Sequence, residues 1–268
     1  MLRTITYTIC LFAALGLSSC EKVIDIDLNT PETQLVIEGN ITDQLMRQTI
    51  RISRSVPYTE SNVYPPVSDA TVTVTDNEGR AWNFVETQPG KYTSARFKGE
   101  SFLTYTLRVT VDDAAYTATS TMPQAVKLDG LGLKVFTFGD EQNKQVEVYY
   151  QDPDRKANQY RYVMKVNGLP VKRIFVENDR FTDGKEATST LFYNPDNDNE
   201  KLKEGDEVEV EMQSIDKPVY TYWYAISQQT QNGPAAGVTP ANPPSNISNN
   251  ALGYFSAHTT ESRVLIIK

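Results

Sequence analysis

Cysteine is almost missing from this chain, and histidine more so: 268 residues hold two of the first and one of the second. One histidine, His258, leaves little for nucleophilic catalysis, which needs a base oriented by a third group. Zinc, which usually takes several His or Cys ligands, is not expected. Basic residues are also short, 26 against 34 acidic ones, for a net charge of −8 and a pI near 4.9. That speaks against nucleic acid as a partner, because phosphate binding needs clustered Lys and Arg. It speaks equally against docking on anionic lipid by charge. Apolar runs are short: Ile5 to Leu17 falls below the roughly 20 residues of a membrane-spanning helix, and Val264 to Ile267 is strand-sized.

The apolar run Ile5–Leu17 follows Arg3 and leads into Ser18, Ser19 and Cys20. A positive start, a short apolar centre and small residues have the form of a secretory leader. Leu17-Ser18-Ser19-Cys20 resembles a bacterial lipobox. The resemblance implies cleavage before Cys20, acylation of Cys20 and attachment to a membrane by several acyl chains, which hold far better than one. An ordinary secretory signal that happens to contain a cysteine is the competing reading; the polar residues Glu21 and Lys22 favour acylation. Residues 1–19 are then the signal, carrying Cys10 away, and 20–32 a lipidated tether. No thiol remains for a disulfide.

What is plentiful is tyrosine, with 15 copies, alongside Thr and Val. These residue types suit pleated, half-buried surfaces, so the expected class is all-β. Residues 33–123 read as seven short strands with turns about every ten residues, which indicates a β-sandwich. Val72 and Val74 alternate with threonines, Asp76 to Gly79 forms a turn, and Tyr105, Leu107, Val109 and Val111 share one face. The stretch Asp69 to Val74, the turn, Pro89-Gly90-Lys91-Tyr92 and Tyr105-Thr106-Leu107 resembles carboxypeptidase-regulatory and related Ig-like modules. That resemblance implies a spacer or docking platform without catalysis. Pro123 to Lys127 reads as a linker.

A second, mainly β domain is expected over 128–268. Tyr160, Tyr162, Met164 and Val166 alternate, Asn167-Gly168 signals a hairpin, and Val208, Val210 and Met212 alternate again. Asp152-Pro153-Asp154 reads as a turn and 179–186 as a polar loop. Asp196, Asp198 and Glu200 place carboxylates at alternate positions like the start of a calcium loop, but Lys201 stands where glycine is required. A solvated acidic turn is the reading adopted, with no metal ligands and no cofactor. Asp216-Lys217-Pro218 begins one short amphipathic helix, about 216–231, with an N-cap and an early proline. Tyr220, Trp223 and Tyr224 are expected on its buried face, with Tyr222 outside. Residues 232–250, rich in Pro, Asn, Gly and Ser, form a long loop of the kind that is usually functional or disordered. Strands return at 252–255 and 263–267. His258 is expected at a surface or sheet end.

Cys20 to Asp25, Leu35 to Gly39, Asn242 to Ile247 and Ala251 to Ala257 together resemble a family of Bacteroidota lipoproteins of unknown function. The resemblance runs from Cys20 to the C-terminus. It implies an outer-membrane lipoprotein, often encoded beside a TonB-dependent receptor, and carries no catalytic residues. No enzyme activity is expected. The expected function is that of a non-catalytic accessory or binding component of such a receptor, in nutrient capture or uptake. A structural or adhesive surface protein with no small-molecule ligand is the alternative. Binding is placed where the aromatic helix meets the long loop, at Tyr222, Trp223, Asn242 and Asn246.

Overall fold

The computed structural model describes residues 33–57, 63–138, 141–193, 201–231 and 241–268. Cys20, the tether, the tract Asp196 to Glu200 and residues 232–240 lie outside the described residues.

Alternation of apolar and polar residues writes the first seven strands: β1 (Leu35–Thr42), β2 (Met46–Arg54), β3 (Thr71–Asp76), β4 (Ala81–Gln88), β5 (Lys91–Phe97), β6 (Thr104–Val111) and β7 (Ala114–Thr121). Leu35, Ile37 and Ile41 of β1, and Tyr105, Leu107 and Val109 of β6, point inward while their neighbours face out. The turn before β4 is locked by Asp76, whose Oδ1 accepts the amides of Glu78 and Arg80. Then come β8 (Leu128–Phe138), β9 (Glu141–Gln151), β10 (Gln159–Val166), β11 (Leu169–Pro170), β12 (Phe175–Asn178), β13 (Glu186–Leu191), β14 (Glu207–Ile215), helix α1 (Lys217–Gln231) and β15 (Leu252–Ile266). Among the described residues the fold is all-β with one helix. A large sheet runs β11-β10-β14-β15-β1-β2-β5-β4-β3-β6-β7, with β12 also on β10, and a small sheet runs β13-β9-β8.

β15 is the hinge of this order. The sequence reading breaks it into two strands; the chain makes one, because both halves find a partner. Residues 252–258 pair in parallel with β1, and 259–266 pair antiparallel with β14. Residues 253–259 are buried on both faces. Phe255 and Ala257 enter the core of the first seven strands, while Tyr254 packs under α1.

Two large cores result. One holds side chains from 35–122 together with Ile247, Ala251, Phe255 and Ala257; the other holds 126–212 and Ile267. The core boundary falls where Pro123 to Lys127 marks a linker in the sequence. Residues 33–123 nevertheless share their core with residues 247–257, and 33–268 forms one compact unit. The physical reason is hydrogen bonding: without β15, the outer edge of β1 would be unpaired.

Candidate functional site

Helix α1 begins at Asp216, whose Oδ1 accepts the Val219 amide in the manner of an N-cap. Its Oδ2 accepts from Ser120 Oγ and the Thr121 amide, which ties the helix start to β7. Burial pushes the Asp216 carboxyl up, against the hydrogen bonds from Ser120, Val219 and Thr121. The inward stripe is Val219, Tyr222, Trp223 and Ile226, packed with Ile215 and Tyr254. These positions are spaced i, i+3, i+4 and i+7, the single face a helix lays on a sheet.

Tyr222 is therefore a correction. It is 9% exposed and lies 5.1 Å from Tyr254 and 5.3 Å from Trp223, ring to ring. Burial raises its phenol above the usual range, and the Glu38 charge adds to this. Trp223 is half-buried and carries the Arg161 guanidinium 3.8 Å from its ring centre. Arg161 also donates to Gln213 Oε1, and Gln213 Nε2 donates to Glu211. Tyr224 goes outward, while Tyr220, half-buried against the same cluster, stacks on it from one turn earlier at 5.6 Å. The sequence showed the aromatic cluster but not its rotation about the helix axis, which is set by where Tyr254 and Ile215 lie.

Asn246 is a clamp. Its Nδ2 donates to the carbonyls of Phe255 and Thr119, and its Oδ1 accepts the Phe255 amide. Its amide is thus spent on holding β7 against β15, a job the sequence reading did not assign. Ser248 and Asn249 continue the seam along β7 through Thr117 and Ala115. Asn242 is exposed. The segment starts beside the helix end, where Gln229 Nε2 donates to the Ala241 carbonyl, and then runs away to the N-terminal strands.

The surface next to α1 is formed instead by Tyr224, expected on the buried face but exposed, and by residues to which the sequence assigned no site role. A groove of about 160 Å³ is lined by Arg173, Phe175, Glu177, Thr190, Phe192 and Tyr224. Tyr224 is 45% exposed and Phe192 47%, and the Phe192 ring lies tilted against Phe136 at 5.5 Å. Glu177 accepts from Ser189 Oγ, and burial pushes its carboxyl up. The Arg173 Nε is enclosed and has no hydrogen-bond partner. Ligand sites for small molecules usually enclose about 300–1,000 Å³. A groove this small suits a side chain or two from a partner.

His258 is also corrected. It sits inside β15 at 2% exposure, with Nδ1 2.9 Å from Ser256 Oγ. Burial, helped by the Arg161 charge, pulls its pKa down to about 3. Ser256 is 1% exposed, so this serine–histidine pair is sealed from any substrate. The shift has a consequence for stability. Below its usual pKa of 6.5, the unfolded chain protonates His258 and the folded chain does not. Stability is therefore full above about pH 6.5 and falls as pH drops toward 3. The expected loss from this residue is about 2 kcal/mol between pH 7 and pH 5. Denaturant midpoints across that range should slope more steeply for the wild type than for His258→Gln; equal slopes would refute the assignment.

The sequence reading assigns no metal ligands. The fold, however, brings Asp152, Asp179 and Asp183 together from a turn and a polar loop some 30 residues apart. No spacing rule could have shown this, because the pairing of β9 with β13 makes the contact.

Among known families, the model described as a domain of unknown function, DUF4249, matches residues 21–263, and the chain belongs to that family. No curated protein matches it.

Proposed function

We propose that this DUF4249 protein is a lipid-anchored cell-envelope component that acts by binding, without catalysis, as an accessory to a TonB-dependent outer-membrane receptor in nutrient capture or uptake. The observation that carries the binding role is the exposed aromatic face of Tyr224 and Phe192 at a side-chain-sized groove. Tyrosine and other aromatics bring large contact area at low entropic cost and dominate the centres of protein interfaces. Both sit on elements that are otherwise well anchored: α1 is tied to β7 at its start, and Phe192 follows directly on β13. The anchor reading rests on Leu17-Ser18-Ser19-Cys20, and the receptor on the resemblance of the chain from Cys20 onward to outer-membrane lipoproteins found near such receptors.

The test is affinity purification of a tagged copy from native outer membranes, after growth with an alkyne fatty acid. The wild type should carry label and bring the receptor with it. Cys20→Ala should carry no label. Tyr224→Ser combined with Phe192→Ser should keep label and fold, since each side chain is nearly half exposed, but lose receptor by about tenfold or more. Undiminished receptor with the double variant would move the binding surface elsewhere. Absence of any receptor from the wild-type sample would leave the structural or adhesive role standing.

A further inference from the structure

Two connections meet at one end of the second core. Residues 152–158 join β9 to β10, and 179–185 join β12 to β13. Backbone hydrogen bonds sew them together: Asp152 N to Lys185 O at 2.9 Å, and Asp179 N to Asn158 O at 3.1 Å. Asp179 Oδ2 accepts the Asn158 amide at 2.6 Å, and Asp183 Oδ1 accepts the Arg155 amide at 2.8 Å. Within the second loop, the amides of Thr182 and Asp183 both donate to the Asp179 carbonyl. The result holds three carboxylates so that one oxygen of each lies within 4.8 Å of the others.

Acidic loops are common, and proximity alone would be a solvated turn. This one differs in what it buries. Asp152 is 1% exposed and Asp179 9%. Asp152 Oδ1 takes the Tyr160 hydroxyl, but Oδ2 is enclosed with no hydrogen-bond partner. Thr182 Oγ1, in the same turn as Asp179 and Asp183, is likewise enclosed without a partner. A buried carboxylate oxygen left unpaired costs several times what an ordinary hydrogen bond returns. Of the basic residues in these loops, Arg155 pairs with Asp154, Lys156 donates to Gln124 and Arg180 lies over the Phe181 ring, and among the described residues no ion pair joins these or Lys185 to the three carboxylates. Burial pushes the Asp152 carboxyl up and the Asp179 and Asp183 charges push the same way, against the Tyr160 hydroxyl and the Gly184 amide, whose geometry falls short of a full hydrogen bond to Oδ2.

We propose that Asp152, Asp179, Asp183 and the Thr182 hydroxyl bind a divalent cation of the calcium type. The donors are all oxygen, and hard cations select carboxylate and hydroxyl oxygen over nitrogen and sulfur. Calcium–oxygen distances of about 2.3–2.6 Å put opposite ligands about 4.6–5.2 Å apart, which the observed spread accommodates. A bound cation gives the three carboxylates an ionic partner, which no ion pair with the basic residues of these loops supplies, and gives Asp152 Oδ2 and Thr182 Oγ1 their missing partner. It also ties the β9–β10 turn to the β12–β13 loop across the end of the small sheet. This inference is independent of the receptor reading.

The experiment uses the chain from Cys20 onward, made acyl-free by Cys20→Ser, stripped with chelator and titrated with calcium chloride. Calorimetry should give one site per chain that involves these loops. The melting temperature should rise by about 5 °C once calcium is about a hundredfold above its Kd. Asp183→Asn keeps the acceptor for the Arg155 amide and removes one charge. It should leave the chelated melting temperature unchanged or higher, and weaken calcium binding at least tenfold. Thr182→Val should weaken binding while leaving the charge intact. Identical melting curves in chelator and calcium, with no binding heat, would overturn the proposal. A calcium response that survives both substitutions would overturn it as well, placing the ion elsewhere, with Asp196 to Glu200 the next segment to probe.

Discussion

Residues 33–123, expressed alone, are expected to show no cooperative thermal transition. All seven strands of the apparent first module are present in that fragment, and their alternation is clean. What is missing is β15 and the segment before it. Phe255 is fully buried in the first core, where its ring lies against Gly39, and Ile247 and Ala251 pack in the same cluster. Losing a buried Phe alone costs about 3–5 kcal/mol, and removing the whole segment adds the other side chains and an entire strand pairing. Small domains have only about 5–15 kcal/mol in total. The fragment also bares β1 along residues 36–42, where seven residues pair with β15 in the intact chain. An unpaired apolar edge is a template for aggregation. Near-UV circular dichroism with a thermal melt decides the matter: a single sigmoidal transition with native near-UV signal would mean that the first sheet closes without β15.

Gly253→Ala should be the most damaging single methyl in the protein. Gly253 has φ of +92°, a conformation that side-chain-bearing residues rarely adopt. A Cβ there would stand 2.0 Å from the carbonyl oxygen of Ile37, its partner in the parallel register. Backbone strain of this kind costs about 1–3 kcal/mol. The collision adds to it, because a carbonyl in a sheet ladder cannot swing aside as a side chain can. The expected loss is about 4 kcal/mol or more, with both cores affected, since β15 serves both. Gly39→Ala offers the comparison. Its Cβ would meet the Phe255 ring at 2.8 Å, at a φ that needs no glycine, so the ring can shift and the cost should be about 1–3 kcal/mol. Urea unfolding of both variants checks the order. Equal losses would show that the close approach at Ile37 relaxes freely.

Much of the fold is legible along the chain because strands carry their own signal. Val72 and Val74, or Tyr160, Tyr162 and Met164, alternate in the sequence and are buried in alternation in the structure. Asp216 and Pro218 mark a helix start where a helix starts. These are local facts, set by the two-residue period of a strand and the capping chemistry of a helix. The all-β class and helix α1 follow from them.

Everything that joins distant segments was decided by tertiary structure. Nothing in Leu252 to Ile266 announces that one strand will be shared between two sheets. Parallel pairing with β1 links residues more than 200 positions apart, and sequence spacing carries no information at that range. The face of α1 was set the same way: Tyr222 is buried and Tyr224 exposed because Tyr254 lies beneath the helix, not because their own residue types differ. His258 looks like a strand-end residue until β1 and β14 flank β15 on either side and leave it 2% exposed. Asp152 and Asp179 read as turn and loop until β9 and β13 bring them together. The sequence by itself determined which residues form strands, turns and a helix, since those depend on neighbours in the chain. Only the packing of β15, α1 and the 179–185 loop decided which side chains meet, and so where an aromatic groove and a cluster of carboxylates could arise.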